Sequence, residues 1–155
     1  MKAPKNWPKP PAINKWDARF LQLAELVSTW SKDPSTRVGS VITDKRNRVI
    51  SLGFNGYPHG VKDDDLPRDR KLLRTIHAEE NAILFAQRSL SGCTAYVTHH
   101  PCGPCAAKIV QSGITRVVVA KEMHSAWSAS SVEAKMLFSE AGVEVVLPDA
   151  IMEKN

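Results

Sequence analysis

The sequence predicts an α/β domain in which a sheet is covered by helices on both faces. The chain has 155 residues, of which 43% are hydrophobic, and this suits one compact domain with a substantial core. Five short runs rich in β-branched residues alternate with helical segments in the order α-β-β-α-β-α-β-α-β. Strands that are linked through helices favour parallel pairing, with helices packed on both faces of the sheet.

The first helix is predicted over residues 15–30, with Asn14 as its N-cap and Asp17 in its first turn. Apolar side chains recur at helical spacing and predict a core stripe, made of Trp16, Phe20, Leu23, Val27 and Trp30. The sequence Asp33-Pro34 disfavours any continuation of this helix.

The middle of the chain predicts a hairpin, a loop and a helix–strand pair. Residues 38–42 and 49–54 are predicted strands joined by the polar turn 44–47, and 56–74 is a predicted polar loop. The segments that follow are a helix over 77–88 and a strand over 94–98.

The last part of the chain predicts two further helix–strand pairs. These are a helix over 102–112 with a strand over 116–120, and a helix after the loop 121–129 with a strand over 143–147. The last helix is expected to begin at a capping box of Ser130 and Glu133 and to end at Gly142. We expect residues 1–13 to form an N-terminal arm and residues 14–150 to form the domain. No run approaches the ~20 apolar residues of a membrane span, and the arm lacks the apolar region of a secretory signal.

Two short motifs carry the chemistry of the sequence. Residues 77–81 read HAEEN and residues 101–105 read PCGPC. His77, Cys102 and Cys105 can supply three ligands to a zinc ion, and three protein ligands leave the fourth position of a tetrahedral zinc open for water or substrate. A closed structural site would need a fourth ligand, for which the adjacent His99 and His100 are the candidates.

Helical spacing constrains how these motifs meet. Cys102 and Cys105 are three residues apart and therefore share one helix face. His77 and Glu79 project to nearly opposite sides of a helix, so both can serve one centre only if that helix points its N-terminal end at the metal. We therefore predict two helices aimed end-on at one zinc ion. Glu79 would then sit beside the open position as a proton carrier for hydrolytic deamination, rather than act as a ligand.

The motifs resemble those of a known family. His-x-Glu followed by Pro-Cys-x-x-Cys is the signature of zinc deaminases, and the chain from about residue 31 to 146 resembles the deoxycytidylate (dCMP) deaminases. The resemblance covers SKDPS at 31–35, VGSVI at 38–42, GFNGYP at 53–58, HAEENAI at 77–83, YVT at 96–98, PCGPC at 101–105 and QSGI at 111–114. It implies a three-layer α-β-α sandwich around a five-stranded mixed sheet of the cytidine deaminase type. It also implies conversion of dCMP to dUMP and ammonia, which supplies dUMP for thymidylate synthesis.

The resemblance further implies roles for single residues. The backbone around Ala78 would hold the pyrimidine ring, and Asn55 would reach the deoxyribose, although Asn-Gly is also an ordinary turn sequence. The segment Gly53, Phe54, Asn55 and Gly56 resembles one that binds a regulatory nucleotide such as dCTP or dTTP, with Phe54 where tyrosine is usual. A hexamer is typical of the family.

A nucleotide phosphate needs cations or N–H donors. The candidates are Lys32, Arg37, Arg88 and His124, each of which could equally be a solvated charge. The acidic run 63–65 is an expected solvated loop that could also contact Mg²⁺ held by a regulatory nucleotide triphosphate. His59 is the one histidine of that insertion, which has no cysteine, so we expect no second zinc.

The remaining composition narrows compartment and partners. A thiolate zinc site together with a third cysteine, Cys93, suggests a reducing, cytoplasmic setting. The net charge of +5 attracts anions, a nucleotide as well as RNA or DNA, and basic and acidic residues are interleaved rather than arranged in a basic stripe, so composition alone leaves the choice open. The resemblance implies a nucleotide substrate and no nucleic-acid partner, and the lack of a long apolar run predicts no membrane partner. Two other hypotheses stay open, a related deaminase such as a tRNA adenosine deaminase and a non-catalytic zinc module.

Overall fold

The computed structural model describes residues 12–121 and 128–147. Within these ranges five helices and five strands follow one another along the chain. Their bounds are α1 (Lys15–Ser28), β1 (Gly39–Thr43), β2 (Val49–Phe54), α2 (Arg68–Arg74), α3 (Ala78–Ala86), β3 (Thr94–His99), α4 (Gly103–Gln111), β4 (Arg116–Lys121), α5 (Ala129–Ala141) and β5 (Glu144–Val146). The predicted arm lies almost wholly outside the described residues. No described helix is long and apolar enough to cross a bilayer.

The sheet is mixed, with the strand order β2-β1-β3-β4-β5. Strand β1 is antiparallel to both β2 and β3, whereas β3, β4 and β5 run parallel. This confirms the five-stranded mixed sheet that the family resemblance implied. The parallel strands are those linked through α4 and α5, because a parallel connection needs a crossover.

Alternation along the strands divides the core into two layers. Val41, Tyr96, Val118 and Val146 are successive partners across four strands, and all pack towards α1 with Phe20. The next row of strand residues, Ile42, Ala95 and Val117, points to the other face. There it packs against the helices, which contribute Ala82 of α3, Ile109 of α4 and Phe138 of α5. The two core clusters establish the predicted three layers.

The buried face of α1 differs from the predicted stripe. Phe20 and Val27 are buried as expected, but Trp16 and Trp30 are 41% and 49% exposed. The buried face includes Leu21, Ala24 and Asp17 instead. The two tryptophans lie at the two ends of the predicted stripe. The spacing of apolar residues alone did not show that the buried face of α1 leaves them out.

Two further boundaries differ from the predictions, and two predicted caps are confirmed. The predicted loop 56–74 contains the short helix α2, whose seven residues include no buried side chain. The N-cap of α5 is Ser128, two residues before the predicted cap, and its side chain accepts from the Ser131 N–H. Asn14 does cap α1, in a reciprocal arrangement with Asp17, and Gly142 ends α5 in the left-handed region, with a φ of 72°.

Two glycines bring helices unusually close to the sheet. A Cβ on Gly39 would collide with the Ala24 carbonyl of α1, and a Cβ on Gly53 would lie against the Ala78 carbonyl and 2.5 Å from the Ala82 nitrogen of α3. Since real Cβ atoms do not approach backbone this closely, only glycine permits these contacts. Gly53 therefore sets the position of α3, which begins at the candidate site.

Candidate metal centre and active site

His77, Cys102 and Cys105 meet where two helices begin. His77 is the N-cap of α3 and Cys102 is the N-cap of α4, whereas Cys105 lies in the first turn of α4. The Nδ1 atom of His77 is 3.2 Å from the Sγ of Cys105 and 3.5 Å from the Sγ of Cys102. The two helices thus point their N-terminal ends at one centre, as the spacing of the motifs predicted.

These distances fit a tetrahedral zinc ion. Typical Zn–N and Zn–S bonds place the nitrogen and sulfur ligands of one ion about 3.5 Å apart. The three ligand atoms lie within 4.8 Å of one another, and no fourth His, Cys, Asp or Glu among the described residues joins them. The donor set therefore fits zinc with an open position, and the closed site with His99 or His100 as fourth ligand is not formed by this part of the chain.

The helix starts are built so that the ligands are free to bind. Pro104 lies in the first turn of α4, where its missing N–H costs no hydrogen bond. The Gly103 N–H donates to the Ser130 hydroxyl over 2.9 Å, so α5 caps α4 in place of Cys102. Glu80 is partly buried, accepts from the His77 N–H and pairs with Lys108 at 3.3 Å.

The thiols are electrostatically unequal before metal binds. The hydrogen bond from Cys105 lowers the pKa of the Cys102 thiol, and contact with His77 lowers it further. The pKa of Cys105 is raised by the same hydrogen bond and by burial. Zinc binds thiolates, so binding of the metal would release the protons that remain on this pair.

Glu79 lies beside the three ligands but is not one of them. Its side chain is 6% exposed and lines the same cavity as His77 and Cys102. Burial raises the pKa of Glu79 to about 7, despite the opposing effect of its backbone hydrogen bond and of His77. A carboxyl group with this pKa can both accept and release a proton near neutrality.

A cavity of about 470 Å³ opens from this centre. Its volume lies in the range of about 300–1,000 Å³ that is usual for small-molecule sites. Asn55 and Ala78 line it, as do His99 and His100. Burial lowers the pKa of both histidines to about 4, so each is neutral at physiological pH.

Asn55 holds the loop that borders the cavity. Its Oδ1 accepts from the Val38 N–H over 2.9 Å, and its Nδ2 donates to the Thr36 carbonyl over 2.9 Å. The Ser31 hydroxyl donates to the Asn55 carbonyl. One amide hydrogen and one lone pair of Asn55 have no partner in these bonds, so contact with a sugar is compatible with this loop-positioning role.

Three of the predicted phosphate ligands, Lys32, Arg37 and Arg88, do not line the cavity. The Lys32 side chain is 85% exposed and lies 3.9 Å from Asp63. Arg37 is exposed and does not line the cavity, and Arg88 lies beyond the far end of α3, near Cys93. His124 falls outside the described residues. Lys32 and Arg37 are thus near the cavity in sequence but exposed, whereas Arg88 lies at the far end of α3.

Two cations that the sequence did not single out do line the cavity. Arg68 and Lys71 of α2 form part of its wall together with Leu72 and Thr75. The four wall residues, at positions 68, 71, 72 and 75, are three or four residues apart, which is helical spacing and was the available signal. They lie, however, in a short polar segment without an apolar stripe.

The segment assigned to a regulatory nucleotide connects β2 to the active site. Gly53 packs under α3, Gly56 pairs through its backbone with Ile76, and the Phe54 carbonyl accepts from Asn81. The Phe54 ring is 38% exposed and meets Trp30 edge-on, with ring centroids 6.1 Å apart. Gly53, Gly56 and the Phe54 carbonyl therefore have structural roles in placing α3.

A His-Cys-Cys centre beside a buried glutamate, set at the helix starts of such a sandwich, is the arrangement of the zinc deaminases. Comparison with known proteins identifies the family. A family model described as the cytidine and deoxycytidylate deaminase zinc-binding region matches residues 14–121, and the chain belongs to this family.

Individual relatives agree with this assignment. An uncharacterized deaminase encoded in the luxG 3′ region of Aliivibrio fischeri is 56% identical over 138 residues, which cover 86% of this chain and 93% of that protein. Human deoxycytidylate deaminase is 36% identical over 139 residues, covering 83% of this chain and 77% of the human protein. The dCMP deaminase of cyanophage S-TIM5, solved in complex with dCMP and dUMP, has a TM-score of 0.75 at 24% identity. That match covers 88% of this chain and 99% of the phage chain, and it establishes the shared fold.

Proposed function

We propose that this chain is a zinc-dependent dCMP deaminase, which hydrolyses dCMP to dUMP and ammonia. The observation that carries the proposal is the cluster of His77, Cys102 and Cys105 with the buried Glu79 at one end of a nucleotide-sized cavity. The similarity to proteins named deoxycytidylate deaminase supports dCMP as the substrate.

The residues of the chain divide the work. His77 through Nδ1 and the two cysteine sulfurs would hold zinc, which supplies a Lewis acid that lowers the pKa of water towards ~7. Glu79 takes a proton from the attacking water and delivers a proton to the amine that leaves the pyrimidine ring. Ala78 borders the ring pocket, and Asn55 positions the loop and contacts the sugar. The overall balance is one water consumed and one ammonia released for each dCMP.

Substitution of Glu79 tests this assignment. We expect Glu79→Gln to retain about one zinc per chain and to release ammonia from dCMP about 10²–10⁴-fold more slowly, because general acid–base catalysis contributes this much. The matched control is Glu140→Gln, an exposed site on α5 away from the cavity, which should keep the wild-type rate. Full activity of the Glu79 variant would refute the catalytic role.

The substrate claim needs its own comparison. Ammonia release is measured with dCMP, deoxycytidine, cytidine and an adenosine-containing tRNA anticodon stem-loop. Preference for dCMP supports the proposal, whereas activity on the nucleosides or the RNA without activity on dCMP overturns it.

Three finer proposals accompany this one. We propose regulation by dCTP and dTTP through the 53–56 segment, because an effector that contacts the exposed Phe54 would act on α3 through Gly53. Curves of rate against dCMP concentration with and without each nucleotide test this proposal.

We propose a homo-oligomer, a hexamer by family resemblance, because the exposed apolar side chains include Leu73, Leu84 and Phe85. Light scattering measures its mass. We propose a cytoplasmic location, since two zinc-binding thiols and the buried free Cys93 need a reducing compartment; cell fractionation locates the protein.

A further inference from the structure

We propose that Arg68 and Lys71 of α2 form the subsite that binds the phosphate of the pyrimidine nucleotide. This inference rests on the proposed function, because it assigns the group that holds the charged end of that substrate. Both side chains line the cavity that also contains Glu79 and His77. Of the described residues, they are the lysine and arginine side chains in its wall.

The backbone fixes α2 relative to the metal centre. Arg68 and Lys71 are three residues apart and share one face of the helix. The Thr75 N–H and hydroxyl both donate to the Lys71 carbonyl, over 2.9 and 2.7 Å, which closes the end of α2. The next residue, Ile76, exchanges two backbone hydrogen bonds with Gly56, at 2.8 and 3.1 Å, and His77 follows directly. The two cations are therefore held at a set position from the zinc ligand.

Arg68 also connects α2 to the loop on the facing side of the cavity. Its Nη1 donates to the Ser35 hydroxyl over 3.3 Å. The Ser35 and Thr36 N–H groups donate to Oδ1 of Asp33, at 2.8 and 2.9 Å, so this oxygen of the aspartate that lines the described part of the cavity already accepts from two backbone donors. Ser35 and Thr36 line the cavity as well and add hydroxyl donors beside the guanidinium.

Lys71 has a partner that is easily exchanged. Its Nζ lies 3.2 Å from Oδ1 of Asp65, whose side chain is fully exposed. An ion pair with a solvated carboxylate is weak, so a phosphate that enters the cavity can replace Asp65 without leaving a buried charge unpaired. Arg68 offers a planar pair of N–H donors that matches phosphate oxygens, and Lys71 offers a compact charge.

The subsite is tested by comparing substrates with and without phosphate. In zinc-loaded protein, kcat/KM is measured for dCMP and for deoxycytidine, and the ratio of the two is the readout. We expect Arg68→Gln and Lys71→Gln each to lower this ratio about ten- to a hundredfold, since each removes charge-assisted hydrogen bonds to phosphate. Arg68→Lys should retain more of the ratio than Arg68→Gln, because it keeps the charge.

Matched controls are available on the same helix. Arg70 and Arg74 are exposed and do not line the cavity, so Arg70→Gln and Arg74→Gln make the same change of charge and should leave the ratio within twofold of wild type. If the Arg68 and Lys71 variants also stay within twofold, or if the controls fall equally, the subsite is refuted while the deaminase activity stands.

A binding measurement separates this proposal from the proposed function. Calorimetric titration with dUMP and with deoxyuridine is made on the same zinc-loaded variants. Weaker binding of dUMP by tenfold or more in Arg68→Gln and Lys71→Gln, with deoxyuridine affinity changed equally in variants and controls, supports the subsite even if the chain released no ammonia from dCMP. Unchanged dUMP affinity in both variants overturns the subsite.

Discussion

Removal of the buried charge of Asp17 is predicted to destabilise the fold. This residue of α1 is fully buried. It accepts from the Arg116 guanidinium over 2.7 and 2.8 Å, from the Tyr96 hydroxyl over 3.0 Å and from the Asn14 N–H. Asp17→Asn keeps the shape of the side chain but removes the charge. Arg116 would then face a neutral amide instead of a carboxylate, and Glu144, 3.6 Å from its Nε, would be its acidic partner among the described residues.

The size of the effect follows from these contacts. Breaking a buried ion pair by removing one partner costs about 3–5 kcal/mol. The remaining contact with Glu144 and the 21% exposure of the Arg116 side chain place the expected loss near the lower end, about 3 kcal/mol. With a urea m-value of ~2 kcal/mol/M, the midpoint of unfolding should fall by about 1.5 M.

Urea unfolding of the zinc-loaded protein at pH 7 measures this loss. Asn14→Ala is the matched control, since it removes the helix cap but leaves the ion pair, and it should cost about 1 kcal/mol. A loss below about 1 kcal/mol for Asp17→Asn would show that the buried pair contributes little beyond the cap. That result would refute the reasoning.

Three other predictions follow from the same structure. Burial alone would raise the pKa of Asp17, but hydrogen bonds from Arg116, the Asn14 backbone and Tyr96 outweigh it and hold the pKa below its usual value. The stabilisation by the ionised carboxylate is therefore complete above the unfolded-state pKa near ~3.9 and is lost as the pH falls through the folded-state pKa. The urea midpoints of wild type and Asp17→Asn should thus converge in acid. Gly53→Ala should lower the free energy of unfolding by at least about 1–3 kcal/mol through overpacking and also slow deamination, because α3 must shift; an unaltered melting temperature would contradict this. Chelation of zinc should abolish activity and lower the melting temperature, with both restored by one equivalent of zinc, and Cys105→Ser should show neither zinc binding nor recovery.

The metal centre could be predicted from sequence because its geometry is local. The spacing of Cys102 and Cys105 and the opposed directions of His77 and Glu79 already required two helices that meet end-on. The zinc ligands could therefore be predicted without knowing how the strands pair.

The parts that sequence reasoning missed depend on contacts between distant segments. Asp17 is predicted to lie in the first turn of α1, but its pairing with Arg116 requires α1 to lie across β4. Arg68 and Lys71 stood in what was predicted to be a loop, and only the fold of that segment brings them to the cavity. The exposure of Trp16 and Trp30 likewise depends on where α1 contacts the sheet.

The zinc ligands and the cavity lie at one end of the strands, and the turns at the opposite end contain none of the proposed functional residues. Residues 87–93 and 112–115 connect α3 to β3 and α4 to β4 at that opposite end, where the Gly92 N–H donates to the Gly113 carbonyl. Changes in the length of these turns would leave His77 and Cys102 where they are, whereas one residue added between Cys102 and Cys105 would rotate a sulfur away by about 100°. The tolerance of the chain to insertions should therefore be strongly one-sided.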